Sequence, residues 1–80
     1  MGDFGSWIKA KREEKEWSQI MMSEETGIPQ TTISGWERGE TTPSLKHIPK
    51  LVHIFQVKYS EIVQLIGLDQ PEPKKQKQKV

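Results

Sequence analysis

The residues best suited to chemistry in this chain are polar side chains within residues 30–38, and they suit hydrogen bonding to DNA bases. A helix turns by about 100° per residue, so a helix that buries Ile33 also buries Trp36. Its opposite side then carries no carboxylate to repel phosphates, and consists of Gln30, Thr31, Ser34 and Gly35. A glutamine amide can pair with adenine, and a threonine can contact a base edge or a thymine methyl group. The alternative is that this is only the solvated face of an amphipathic helix.

Other chemistries find little support in the sequence. The chain has no cysteine, which excludes disulfides, thiolate zinc sites and thiol nucleophiles. His47 and His53 lie six residues apart without a supporting carboxylate motif, so we expect two surface histidines and no metal site. No glycine-rich phosphate loop, carboxylate pair or nucleophile triad is visible. We therefore expect no enzymatic activity and no cofactor.

Length and charge indicate one small domain followed by a basic tail. The chain has 80 residues and a net charge of +1. Residues 71–80 carry four lysines and one glutamate, a local charge of +3 that leaves residues 1–70 at −2. We predict a folded domain over residues 1–68 and a disordered tail or linker over residues 69–80. The tail is either simply solvated or a basic arm that contacts DNA phosphates.

Helix-capping and helix-breaking residues predict five short helices and no strands. We place them at about Ser6–Lys15, Gln19–Thr26, Gln30–Arg38, Leu45–Phe55 and Ser60–Ile66. Ser6 and Ser18 are candidate N-caps, and Gly67 is expected to end the fifth helix. Pro49 either kinks the fourth helix or forces it to begin near Ile48.

The second and third helices are joined by Gly27, Ile28 and Pro29. Gly27 permits a positive φ, and Pro29 disfavours helix at Ile28. Two short helices joined by a glycine-containing turn of three or four residues form a helix-turn-helix. Ile28 is the apolar residue that can fill the space beneath the turn.

At this point the chain resembles a known family. The segments that carry the resemblance are REEK at 12–15, WSQ at 17–19, TGIPQTTIS at 26–34, WERG at 36–39 and PS at 43–44, continued by IPKLV at 48–52 and YSEI at 59–62. This ordered set resembles the helix-turn-helix domain of phage Cro and CI repressors and their bacterial relatives, the XRE family. The resemblance covers residues 7–67 and implies a compact five-helix domain of the lambda repressor-like fold.

The resemblance also implies roles for particular residues. In the family the second helix of the helix-turn-helix enters the major groove. Gln19 matches a phosphate contact, Gln30 the first base-reading position, and Arg38 a phosphate contact. Thr31 and Ser34 match further base or phosphate contacts, and Thr32 faces sideways toward a phosphate. Gly35 stands where a long polar side chain is common, so one base contact is expected to be missing and the backbone can come closer.

Arg12 and Glu37 match a pair that joins the first and third helices of the family. We interpret this pair as structural, because it would hold the recognition helix rigidly. Lys11, by contrast, stands where many relatives carry a core leucine.

The function that the resemblance implies is sequence-specific binding of double-stranded DNA and transcriptional regulation, as a repressor. No signal peptide and no apolar run of about 18 residues is visible in the sequence, so we expect a cytoplasmic location. A weak homodimer on a pseudo-palindromic operator would pair through residues 43–49 or through residues 62–66. The alternative is a protein-interaction module of the same fold, such as an antitoxin or an antirepressor-binding domain.

On the second helix Met22 and Thr26 are expected to face inward, which leaves at least one of Ile20 and Met21 exposed. These two residues are expected to provide extra core burial, or else to contact a protein such as RNA polymerase, a toxin or an antirepressor.

Overall fold

Five α-helices form the part of the chain that the computed structural model describes, residues 3–69. They are α1 (Asp3–Glu14), α2 (Gln19–Thr26), α3 (Gln30–Glu37), α4 (Ile48–Phe55) and α5 (Tyr59–Asp69). No strand occurs within this range, so the prediction of an all-α, five-helix domain is confirmed. The predicted disordered tail, residues 69–80, lies outside the described residues except for Asp69, the last residue of α5.

The first helix begins earlier than its sequence signals indicate. Ser6 was the predicted N-cap, but it lies inside α1, which starts at Asp3. The reason is packing, because Phe4 and Ile8 lie one helical turn apart and are both fully buried. Burial of the Phe4 ring against Trp36 outweighs the local preference of serine for a helix end.

The predicted turn between α2 and α3 is confirmed in detail. The Ser18 hydroxyl accepts a hydrogen bond from the backbone N–H of Met21 at 3.0 Å and so caps α2. Gly27 adopts the left-handed conformation at φ 77°, and Ile28 is fully buried beneath the turn. Thr26 secures the reversal, because its buried hydroxyl donates to the Met22 carbonyl at 2.7 Å and accepts from the Ile28 N–H at 3.1 Å.

The two C-terminal helices differ from their predicted bounds. The fourth helix begins at Ile48 with Pro49 in its first turn, where proline is tolerated, so the second of the two alternatives is correct. Gly67 does not end α5, which continues to Asp69. A glycine weakens a helix by about 1 kcal/mol but does not force it to stop, and Pro71, the next proline, lies beyond α5.

A single core holds α3 in place. α1 packs against α3 and α5, α2 packs against α3, and α4 packs against α5. Within residues 4–67, where burial is described, nine apolar residues from the five helices and the turn are buried: Phe4, Ile8, Met22, Ile28, Ile33, Trp36, Ile48, Leu51 and Ile62. Trp7, Trp17 and Phe55 pack around this core as an aromatic cluster.

Two expectations about burial are wrong. The extra core burial expected of Ile20 and Met21 is absent, because their side chains are 56% and 44% exposed. Met22 and Thr26 take the inward positions of α2, as predicted, and at least one of Ile20 and Met21 is exposed, as predicted. His47 was expected at the surface, but it is half-buried with its ring 5.8 Å from that of Trp36. His53 is exposed, as expected.

Candidate DNA interface

The exposed side of α3 carries most of the predicted polar face. Gln30 and Thr31 are exposed at its N-terminal end, Thr32 and Ser34 are half-buried, and Arg38 is exposed just after its last turn. Ile33 and Trp36 point into the core, as predicted. The side of α3 that faces solvent therefore has the hydrogen-bonding character that the sequence indicated.

Gly35 is an exception to this pattern. It is buried rather than exposed, and a Cβ atom added to it would lie 3.1 Å from the Thr41 hydroxyl. Its carbonyl accepts the backbone N–H of Glu40 at 2.9 Å. The glycine thus lets the loop after α3 fold back onto the helix, and this packing of the loop was not expected from the sequence.

Arg12 and Glu37 form the predicted pair between α1 and α3. Arg12 donates from Nε to Oε2 of Glu37 at 2.7 Å and from Nη2 to Oε1 at 3.1 Å. It also donates from Nη1 to the Trp17 carbonyl at 2.7 Å, which ties the loop before α2 to the same site. The side chains are only 12% and 6% exposed, and the hydrogen bond to Glu37 raises the pKa of Arg12 despite its partial burial.

A chain of side-chain hydrogen bonds continues from this pair to the start of α3. Gln19 donates from Nε2 to Oε1 of Glu37 at 3.0 Å. Gln30 in turn donates from Nε2 to Oε1 of Gln19 at 3.3 Å. An ionised carboxylate can only accept, so Glu37 dictates the orientation of the Gln19 amide, and the amide oxygen of Gln19 dictates that of Gln30.

This series of hydrogen bonds determines which groups Gln30 can offer to a ligand. One N–H of Gln30 is used by Gln19, which leaves Oε1 and the second N–H of Gln30. An adjacent amide acceptor and donor form the pair that can bond the N6 and N7 positions of adenine. The two predicted site residues Gln19 and Gln30 are therefore brought together, and both are connected to the structural pair.

The C-terminal end of α3 has a second polar cluster, made of Ser34, Arg38 and Glu40. Arg38 donates to Glu40 through two parallel hydrogen bonds, from Nε at 2.9 Å and from Nη2 at 3.0 Å, and from Nη1 to the Ser34 hydroxyl. Hydrogen bonding to Arg38 holds the pKa of the exposed Glu40 carboxyl below its ordinary value. The sequence did not indicate Glu40 as the partner of Arg38.

A cleft of about 420 Å³ is lined by residues of α3 and of the loop that follows it. Thr31, Thr32 and Arg38 line one side, and Glu40, Thr41 and Ser44 line the other. His47 also lines the cleft, and its Nδ1 atom is buried and has no hydrogen-bond partner among the described residues. Burial lowers the pKa of His47, as do the neighbouring charges of Lys50 and Lys46, so its imidazole is neutral at pH 7.

Comparison with known proteins agrees with this geometry. A protein-family model described as Helix-turn-helix matches residues 8–62, which spans α1 to the first part of α5. The chain belongs to the Cro/CI-like XRE family of helix-turn-helix domains. Neither the curated proteins nor the solved structures that were searched contain a significant match.

Membership of the XRE family gives the chain its functional type. XRE helix-turn-helix domains bind double-stranded DNA and regulate transcription, and enzymatic activity is not typical of the family. In this XRE domain α2 and α3 are the two helices of the motif. None of the helices within residues 3–69 has the length and apolar character needed to cross a membrane.

Proposed function

We propose that this domain is a sequence-specific transcriptional repressor that places α3 in the major groove of an operator. The observation that carries the proposal is the hydrogen-bonded chain from Arg12 through Glu37 and Gln19 to Gln30. A side chain that reads bases must be held in one orientation, because a freely rotating amide would accept several bases equally. The buried ion pair at the far end of the chain supplies that constraint.

The proposed base contacts come from the N-terminal half of α3. Gln30 reads adenine through its remaining acceptor and donor, while Thr31 and Ser34 contact adjacent base edges or phosphates. Thr32 and Arg38 lie toward the flanks, where phosphates are the expected partners. Gln19 contacts a phosphate at the N-terminus of α2, where the helix dipole favours an anion. Gly35 provides no side chain, and its place in the interface is limited to the backbone around it.

Dimerisation is part of the proposal, because two half-sites give more sequence information than one α3 can read. Leu45 is 75% exposed within the first of the two predicted pairing segments, residues 43–49, and Val63 is 44% exposed within the second, residues 62–66. Both are large apolar side chains that would be buried by a second copy of the chain. Repression follows from occupancy alone, because a dimer on a promoter excludes other proteins from the same DNA in a bacterial or phage-infected cell.

The test is selection of binding sites from a randomised duplex pool at about 50 mM salt, where weak phosphate contacts still contribute. We expect an enriched pseudo-palindrome with half-sites about one helical turn apart. Enrichment of a single half-site would support sequence-specific binding but contradict the proposed dimer. If no sequence is enriched although the chain binds DNA, specific recognition by α3 is excluded for this domain.

A second candidate function rests on Ile20 and Met21. Their exposure on α2, beside the exposed carboxylates of Glu24 and Glu25, favours docking of a protein such as RNA polymerase, a toxin or an antirepressor. In the alternative function the domain would bind a protein through this surface and would not bind DNA through α3. The double substitution Ile20→Glu and Met21→Glu separates the two, because it should abolish protein docking and leave duplex binding by α3 intact. A chain that binds no duplex at low salt but binds a protein through this surface would support the alternative.

A further inference from the structure

We propose that Glu40 competes with DNA phosphates for Arg38 and thereby holds down the sequence-independent affinity of this domain for DNA. The inference rests on the proposed function, because it requires Arg38 to face a phosphate in the complex. It adds a second residue, Glu40, whose own charge opposes binding. The effect is to make stable binding depend on the base contacts of α3.

The geometry of the free domain provides the first argument. The guanidinium of Arg38 is bonded to both oxygens of Glu40 and also to the Ser34 hydroxyl. The two parallel bonds to Glu40 have the geometry in which arginine also binds a phosphate. Glu40 therefore occupies the Nε–Nη2 edge of the guanidinium, so a phosphate cannot bind this edge until Glu40 leaves it.

The position of the pair provides the second argument. Arg38 and Glu40 both line the cleft between α3 and the following loop, and both side chains are more than half exposed. A DNA strand running along this side of α3 would meet the arginine and the carboxylate together. When Arg38 turns to the phosphate, Glu40 is left beside a second anion without its partner.

The charge of the domain explains why one such pair matters. Residues 1–70 carry a net charge of −2, so attraction to DNA depends on a few well-placed cations. Phosphate contacts supply most of the affinity for DNA of arbitrary sequence. Only a site that also satisfies Gln30, Thr31 and Ser34 would offset the loss of the ion pair between Arg38 and Glu40.

Ion release gives the proposal a measurable signature. A phosphate contact normally releases the equivalent of about 0.9 counterions, which appears as the slope of log K against log salt. In this domain the Glu40 carboxylate loses its ion pair when Arg38 binds a phosphate, and it takes up a counterion from solution. This uptake offsets the release from the phosphate, so the contact by Arg38 adds almost nothing to the net slope. Glu40→Gln removes that compensation and should steepen the slope by about 0.9.

The experiment measures binding of the full chain to a fluorescent duplex of mixed sequence between about 50 and 200 mM salt. Such a duplex does not require the operator to be known. We expect Glu40→Gln to strengthen binding about 3- to 10-fold at the lower salt and to steepen the slope. The matched control is Glu25→Gln, which removes one exposed carboxylate that makes no hydrogen bond or ion pair with other described residues.

A double-mutant cycle with Arg38→Ala completes the test. If Glu40 acts by competing for Arg38, Glu40→Gln should do no more than Glu25→Gln once Arg38 is absent. Equal effects of Glu40→Gln and Glu25→Gln in the otherwise unchanged chain would overturn the inference, and so would a full effect of Glu40→Gln without Arg38. These outcomes leave the proposed DNA-binding function standing, whereas failure of the unchanged chain to bind any duplex at about 50 mM salt rejects both.

Discussion

Arg12 in α1 and Glu37 at the end of α3 are joined by two hydrogen bonds although 25 residues separate them in the chain. The pair fixes the C-terminal end of α3 to the first helix. Through Gln19 it also orients Gln30 at the opposite end of α3. One ion pair thus positions both ends of the helix that we propose reads DNA.

Removal of Arg12 tests the stability that this pair contributes. Arg12→Ala would leave the mostly buried Glu37 carboxylate with Gln19 as its remaining side-chain donor, and we expect a loss of about 3 kcal/mol in the free energy of unfolding. The measurement is urea denaturation followed by tryptophan fluorescence. A loss below about 1 kcal/mol would show that water replaces the pair at little cost. The double variant Arg12→Met, Glu37→Leu should recover most of the stability, because apolar side chains need no hydrogen-bonding partner. Its affinity for DNA should nevertheless stay below that of the parent, because Gln19 and Gln30 are no longer oriented by Glu37.

Gln30 and Gln19 should affect DNA binding in different ways. Gln30→Ala should weaken binding by about 1–3 kcal/mol when the preferred base pair is present and relax the preference at that position alone. Gln19→Ala should weaken binding to every sequence, because a phosphate contact carries no base information. It should also broaden the preference at the Gln30 position, since the Gln30 amide loses its partner. Competition between duplexes that differ at one base pair measures both effects, and equal weakening of all duplexes by Gln30→Ala would contradict base reading.

Two glycines within helices should respond in opposite directions to the same substitution. A Cβ atom on Gly5 would lie 2.5 Å from the Trp36 carbonyl oxygen, so Gly5→Ala must push α1 away from α3 and should cost about 1–3 kcal/mol. Gly67 has no such neighbour within 4 Å among the described residues, so Gly67→Ala should stabilise α5 by up to about 1 kcal/mol. Thermal denaturation of both variants beside the parent checks this, and destabilisation of comparable size by both would contradict the close approach at Gly5.

His47 should make the stability of the domain depend on pH. Burial lowers its pKa in the folded state below the ordinary value of 6.5, and Lys50 and Lys46 act in the same direction. The unfolded state therefore binds more protons as the pH falls below about 6.5, and the free energy of unfolding decreases as the pH moves toward the folded-state pKa. At pH values well above 6.5 the imidazole is neutral in both states, and His47 then adds no pH dependence.

The measurement is the midpoint of thermal unfolding at pH values of about 7.5 and 5.5. We expect the midpoint to fall between the two values in the parent chain and to fall less in His47→Gln. The exposed His53 provides the control, because His53→Gln should keep the full decrease. An equal decrease in all three proteins would assign the pH dependence to other groups.

Local signals in the sequence were sufficient for the helix-turn-helix itself. Ser18 and Gly27 act within one helical turn of their position, and the burial of Ile33 and Trp36 follows from helical periodicity. The remaining features depend on contacts between distant segments. Phe4 extends α1 because it meets Trp36, and Gly35 is buried because the loop after α3 folds back onto it.

The candidate site divides in the same way. The family resemblance indicated Gln19, Gln30 and the pair of Arg12 with Glu37, and the structure connects all four by hydrogen bonds. The role of Glu40 could not be predicted, because the loop conformation that brings it to Arg38 depends on tertiary packing. The DNA contacts of these residues remain predictions.

The two helices of the motif contain only eight residues each. Helices shorter than about 12–15 residues are marginal on their own in water, so neither α2 nor α3 can persist apart from the core beneath it. Recognition by α3 therefore requires the folded core, and a destabilising cavity made at Leu51 or Ile62 should reduce occupancy of DNA without touching the interface. By the same linkage, any duplex that binds α3 raises the unfolding midpoint in proportion to the logarithm of its concentration. Thermal denaturation in the presence of candidate duplexes is thus an assay for the operator.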